Sequence, residues 1–268
     1  MLSKLFYFLK RDFLEAASYK FAFVFSFFGI FLSSSTFFFI SKLISGNTIP
    51  MLAPYGGDYF AFVIVGLACS ELLQVFESSL PGEIRSAQVT GTLESIFLTR
   101  TSLLTILTGI SLYPLLFTLL RVAFYFVLGI AVFGIKLGTI NWIANLLVIF
   151  LGSICFLSIG ILSASFIMVY KTGNPFSFVF GTISGLLGGV FFPVTILPPW
   201  IKWLSYLLPI THTLEGVRHG MLSSSSFAEI LPSILSLSIF AALLFPLSLF
   251  IFRLAVKKAK KDGVLSQY

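Results

Sequence analysis

The chain has 268 residues, 57% hydrophobic and only 10% charged, with 33 Phe and a formal net charge of +7. Water-soluble domains carry roughly a quarter of their residues as charges, so this composition excludes a soluble globular protein and requires a lipid-embedded one. The positive balance does not point to nucleic acid, because most basic residues flank apolar runs, where membrane orientation accounts for them.

Residues 1–20 place Leu2, Leu5, Phe6, Leu9 and Phe13 at helical spacing, with Lys4, Lys10, Arg11, Asp12 and Glu15 on the other face. That pattern predicts an amphipathic helix lying in the membrane interface. The apolar run that follows is long and lacks a clear small-residue cleavage site, which argues against a cleaved signal peptide. Six spans are predicted at residues 21–44, 59–80, 102–133, 140–170, 176–192 and 230–252, since about 20 apolar residues in a helix cross a bilayer core. The third and fourth exceed that need and are expected to tilt or project into water. The fifth is short and rich in glycine, and Gly185 with Gly189 forms a GxxxG pattern that permits close helix contact. Cys69 and Cys155 lie inside apolar runs and read as small buried hydrophobes; with no Cys/His ligand spacing, no metal is expected. The expected fold is an all-α integral membrane protein, a single permeation domain over residues 1–268.

Lys and Arg set the orientation. An even number of spans puts Lys4, Lys10, Arg11, Lys20, Arg85, Arg100, Lys171, Arg253, Lys257, Lys258, Lys260 and Lys261 on one side. Lys42, Lys136, Lys202 and Arg218 fall on the other, and Arg121 lies within a span. The bias predicts a multi-pass cell-membrane protein with both termini and residues 81–100 in the cytoplasm.

Three segments carry chemistry. Residues 81–100 form a polar, two-signed island with Glu83, Arg85, Glu94 and Arg100, interrupted by Gly82 and Gly91. It reads as one or two short helices, the second starting at Gly91-Thr92-Leu93-Glu94 with Glu94 favoured by the helix dipole. Such a helix could enter a cleft in a partner or rest on lipid headgroups, and the residues leave both readings open. Residues 193–222 suggest a re-entrant helical hairpin on the outer side, with Pro193 ahead of it. Pro198 suits the start of its first helix, and Trp200 and Trp203 lie on one apolar face within an aromatic belt. Pro209 follows that helix; Thr211 or Thr213 can cap a second one, which carries His212, Glu215 and Arg218. Within the spans, Glu71, Gln74 and Glu77 share roughly a third of one helix circumference, and Arg121 is the expected partner of Glu71. That pair reads first as a structural ion pair, while Gln74 could line a translocation path or meet its counterpart in a dimer mate.

Catalytic groups are not expected. His212 and His219 both lie on the outer hairpin, and Thr182-Ile183-Ser184-Gly185 lacks the leading glycine of a nucleophile turn. His212 reads as a local cap or hydrogen-bonding group. A phosphate-cradling G-x-x-x-x-G-K-[ST] is absent, so nucleotide hydrolysis is not expected on this chain.

Gly91-Thr92-Leu93-Glu94 after the second span, Phe191-Phe192-Pro193 with Leu197-Pro198 after the fifth, and the run Leu208-Pro209-Ile210-Thr211-His212-Thr213-Leu214-Glu215-Gly216-Val217-Arg218 before the sixth occur in one order. In that order and spacing the chain resembles the membrane subunit of type-2 ABC transporters, over nearly its whole length. The resemblance implies six spans, an interface helix, and a cytoplasmic coupling helix after the second span with Glu83, Arg85, Gly91, Thr92, Leu93 and Glu94 as its contact region. It also implies a cytoplasmic ABC ATPase partner carrying the ATP and Mg, a second permease copy in a homodimer or heterodimer, and a lipid bilayer as the setting. ATP-driven export of an amphipathic drug-like or lipid-like substrate is the expected function. A lipid-linked glycan or peptide is the alternative within the family, lowered by the lack of the arginine-rich amino-terminal pattern of many polysaccharide exporters. A secondary transporter or channel working without ATP would show inverted repeats and more titratable groups at mid-membrane.

Overall fold

With no water in the hydrocarbon core, each backbone N–H and C=O must find a partner inside the protein, and helices satisfy that within one segment. The structure, a computed structural model, describes residues 7, 9–14, 18–44, 50–91, 103–170, 175–223 and 226–261 and contains only helices and turns among them. In chain order, α1 is Lys20–Ile44, α2 Tyr59–Val89 and α3 Leu103–Val127, which continues through a π-turn at Leu128–Val132. Then come α4 at Trp142–Tyr170, α5 at Pro175–Leu187, the short pair α6 at Pro199–Tyr206 and α7 at Pro209–Leu222, and α8 at Phe227–Lys261. Five of these helices (α1, α2, α3, α4 and α8) are long and apolar enough to cross a membrane. Residues 9–14 are helical, within the segment predicted to lie in the interface.

α2 is the axial helix. It is buried over most of its length, whereas α1 is largely exposed, with Phe21, Phe25, Phe28 and Phe39 facing outward. Asp58 starts α2 by accepting hydrogen bonds from the Phe60 N–H at 2.8 Å and the Ala61 N–H at 3.4 Å, a side-chain cap for two otherwise orphan donors. α4 packs against α2, α7 and α8, and its contacts run through glycine. A Cβ at Gly160 would lie 2.7 Å from the carbonyl oxygens of Phe76 and Glu77 on α2, and one at Gly152 would lie 2.6 Å from the Thr213 hydroxyl on α7. In lipid, where burial of apolar surface against other apolar surface brings little, such close backbone approach is a main source of helix association.

Several boundaries differ from the sequence expectation. α2 does not stop at Leu80; it runs through Pro81 and Gly82 to Val89, so residues 81–89 are an extension of the span and not a separate short helix. Proline usually interrupts a helix by removing an N–H and crowding the preceding turn. Here Leu80, Ile84 and Ala87 pack with Ile161, Ala164, Ile167 and Met168 of α4 and with Phe252 and Ala259 of α8, and that core holds the helix through the proline. The Gln88 side-chain amide also donates to the Ile167 carbonyl at 3.2 Å. The helix ends at Gly91, whose φ of +69° is open to glycine at little cost. α8 likewise exceeds its predicted residues 230–252 at both ends.

α5 ends at Leu187, earlier than the predicted residue 192. Its 13 residues rise roughly 20 Å, less than a bilayer core. The GxxxG reading therefore fails: Gly189 lies beyond the helix with φ +82°, and a Cβ at Gly185 would meet nothing within 4 Å. Two glycines form a contact face only while both belong to the same helix.

Candidate functional site

Two polar constructions are built into this apolar bundle. The first is a cavity of about 200 Å³ beside α2. Ser70, Glu71, Gln74 and Glu77 of α2 line one wall, since positions three and four apart share a helix face. Leu67 of α2, Tyr125 of α3, Phe156 of α4, Ser184 with Gly181 and Gly185 of α5, Val190, Phe191 and Ile210 complete it. Arg121 Nη2 donates to Glu71 Oε1 at 2.8 Å, and the Tyr125 hydroxyl donates to the same oxygen at 3.2 Å. The other carboxylate oxygen, Glu71 Oε2, is buried and has no hydrogen-bond partner among the described residues; the same holds for the hydroxyls of Ser70 and Ser184. Glu77 is buried at 4% exposure, while Gln74 is exposed.

The second construction is centred on Arg218, 3% exposed. Its guanidinium donates from Nε to the Phe62 carbonyl at 3.2 Å, from Nη1 to Gly189 at 2.7 Å and from Nη2 to Val190 at 2.8 Å. It also lies 3.4 Å above the centre of the Phe62 ring. Gly189 and Val190 lie beyond the end of α5 in irregular backbone, whose carbonyls have no intrahelical donor and need a partner when buried. Arg218 thus satisfies the irregular backbone behind α5 inside the protein, using its rigid fork of donors. The sequence reading places Arg218 on the second hairpin helix and uses it as an orientation charge; the structure keeps it on that helix but buries it, which the sequence reading does not foresee. The available signal was its four-residue spacing from Leu214, which places both on the buried face of α7. Beside it, burial pushes the Tyr55 phenol up to about 12, with Glu215 adding to the rise, so Tyr55 remains a neutral hydroxyl.

The rest of the hairpin is held by local bonds. Pro193 precedes a 3-10 turn at Val194–Ile196, Pro198 is the N-cap of α6, and Trp200 and Trp203 are exposed. Pro209 opens α7, so the predicted threonine cap is not used. Instead the Thr211 hydroxyl donates to the Ser205 carbonyl at 2.7 Å and His212 Nε2 lies 2.9 Å from the Tyr206 carbonyl, which stitches α7 to α6. Proline at the first helical position and a cross-helix bond satisfy the entry, leaving a capping hydroxyl without a task. Glu215 is half-buried.

Of the predicted docking residues, Glu83 and Arg85 lie on the α2 extension and Gly91 at its end. Glu83 Oε2 is 3.8 Å from Arg11 Nη2, a partly solvated bridge between the amino-terminal helix and α2. Thr92, Leu93 and Glu94 lie outside the described residues.

Residues 3–222 match the sequence pattern of the ABC-2 type transporter family. The chain is also 30% identical, over 96 residues, to the inner membrane transport permease YadH of Escherichia coli K12, and equally to that of Shigella flexneri. That stretch is 36% of this chain and 38% of the relative, so the alignment spans well under half of either protein. The family pattern covers far more than half of the chain, and its helices are those of a membrane protein. The chain belongs to the ABC-2 type transporter family, as a membrane permease component.

Proposed function

We propose that this chain is the permease subunit of an ATP-driven exporter of an amphipathic drug-like or lipid-like substrate. It works as a pair of permeases, with ATP hydrolysed on a separate cytoplasmic ATPase. The observation that carries this reading is the length and support of α2. Its 31 residues span roughly 46 Å, against a bilayer core of about 30 Å, so about three turns extend beyond the membrane. α8 ends at the same end of the bundle, where it exposes Lys257, Lys258 and Lys261; a basic end of this kind belongs in the cytoplasm.

In this reading the coupling region 81–100 docks on the ATPase, with Glu83, Arg85, Gly91, Thr92, Leu93 and Glu94 as its contact residues. The extension braced by α4 and α8 is the lever that carries ATPase closure into the span beside the polar cavity. α5 makes the fifth of six crossings together with the segment behind it, whose carbonyls Arg218 satisfies. The hairpin α6–α7 closes the outer side.

The test is co-purification with the ATPase and measurement of its hydrolysis in proteoliposomes with and without this chain. The expected result is a stable complex and faster hydrolysis, with both lost in Glu94→Arg. A Glu94→Arg chain that keeps complex and stimulation would overturn the docking assignment.

A further inference from the structure

A groove of about 1140 Å³ opens where residues 9–14 of the amino-terminal helix meet α1 and α3. It exceeds the roughly 300–1,000 Å³ of small-molecule sites, and its wall is almost wholly apolar. The polarity changes along its length. α1 and α3 run side by side in one direction, with the rings of Phe23 and Phe117 centred 5.7 Å apart and those of Phe27 and Phe124 5.0 Å apart. Lys20, the first residue of α1, therefore marks one end of the groove, and Ser26 lies about 9 Å deeper at 1.5 Å per residue. Lys10 belongs to the Lys20 end, because its neighbour Arg11 reaches Glu83 at 3.8 Å, where α2 ends and α1 begins. Both lysines are exposed, line the groove and form no salt bridge among the described residues. No Asp or Glu lines it among those residues, and Asp12 accepts from Arg11 Nε at 2.7 Å.

We infer that this groove holds one anionic phospholipid, its phosphate at the Lys10–Lys20 end and an acyl chain along Phe13, Phe23 and Phe117. Two cations at one end and an apolar trough at the other repeat the polarity of such a lipid, and basic pockets between membrane helices take anionic headgroups. A second copy of the chain would cover the apolar wall but strip water from two ammonium groups without supplying a counter-charge. A zwitterionic lipid fits the wall equally well and offers the lysines no net charge. Bound there, the lipid fastens the helix that also leans on the α2 extension through Arg11 and Glu83. The site goes beyond the export reading and needs neither cargo, ATP nor the partner ATPase.

The test uses the full chain alone, purified in a neutral detergent and titrated with phosphatidylglycerol or with phosphatidylcholine of the same acyl chains. Native mass spectrometry counts the lipids retained. One phosphatidylglycerol per chain should be held about thirtyfold more tightly than phosphatidylcholine, each lysine contributing about fivefold. Lys10→Gln with Lys20→Gln should erase that preference and leave phosphatidylcholine retention unchanged. Lys257→Gln with Lys258→Gln removes the same charge from the end of α8 and should leave the preference intact. Ala22→Trp, at an exposed position on the groove wall, should block both lipids while the thermal melt stays unchanged. Equal retention of the two lipids by the wild type, or an unchanged preference in a stably folded Lys10→Gln/Lys20→Gln chain, would sink the inference. An equal loss from the α8 pair would reduce the effect to surface charge and sink it too. A chain that takes up phosphatidylglycerol only after a dimer is dissociated would assign the groove to a second copy instead. Loss of ATPase docking by Glu94→Arg leaves this readout untouched, so the two proposals fail separately.

Discussion

Replacing Gly66 by alanine adds one methyl group to the middle of α2, and we expect it to dislodge Arg218. A Cβ at Gly66 would fall on Arg218 Nη2 and lie 2.6 Å from the Val190 carbonyl oxygen. The guanidinium can retreat only by giving up its bonds of 2.7 Å to Gly189 and 2.8 Å to Val190, and the Val190 oxygen is backbone and cannot swing aside. Two buried carbonyls without donors cost about 1–3 kcal/mol each, while moving the charge toward water returns part, for a net loss of roughly 3 kcal/mol. The better helix propensity of alanine returns at most about 1 kcal/mol, too little to reverse the sign. A thiol-reactive dye in detergent reads the melt directly, because Cys69 and Cys155 are both free and buried. The midpoint should fall by roughly 5–10 °C for a chain of this size. Arg218→Met should fall by a similar amount, and the double variant by less than the sum, since both changes remove the same bonds. A Gly66→Ala chain that melts with the wild type, or strictly additive losses, would refute the clamp.

The Arg121–Glu71 pair, at 2.8 Å with both side chains less than a third exposed, should show a coupling of about 1–3 kcal/mol in a double-mutant cycle with Arg121→Met and Glu71→Gln. Independent effects on the melt would mean that the bond contributes nothing. Gly160→Ala sets a Cβ 2.7 Å from two α2 carbonyls and should cost about 1–3 kcal/mol, whereas Gly29→Ala on the exposed α1 meets nothing within 4 Å and should be neutral or slightly stabilising. Equal melts for these two variants would remove the glycine-mediated crossing of α2 and α4 from the account of the fold.

The helical class, the membrane setting and the positions of α1 to α4 can be read from local composition. A run of apolar residues long enough for a bilayer is a property of neighbours in sequence, and lipid leaves helix as the only open-chain solution. The meeting of Arg121 with Glu71 was also within reach, because two opposite charges in spans have few other partners. The continuation of α2 through Pro81 was not legible, since proline is locally a stop and the residues that override it come from α4 and α8. Nor was the role of Arg218, which joins Phe62, 156 residues away, to the carbonyls behind α5. A cation on a hairpin helix reads as an orientation charge until the fold brings irregular backbone with unpaired carbonyls against it. The three-dimensional packing likewise made α2 the buried axis and left the phenylalanines of α1 outside, although α1 is the helix of higher mean hydropathy. In lipid, apolar character alone does not select which helix goes to the centre. Small residues that let backbones touch, and polar groups that need partners, do so.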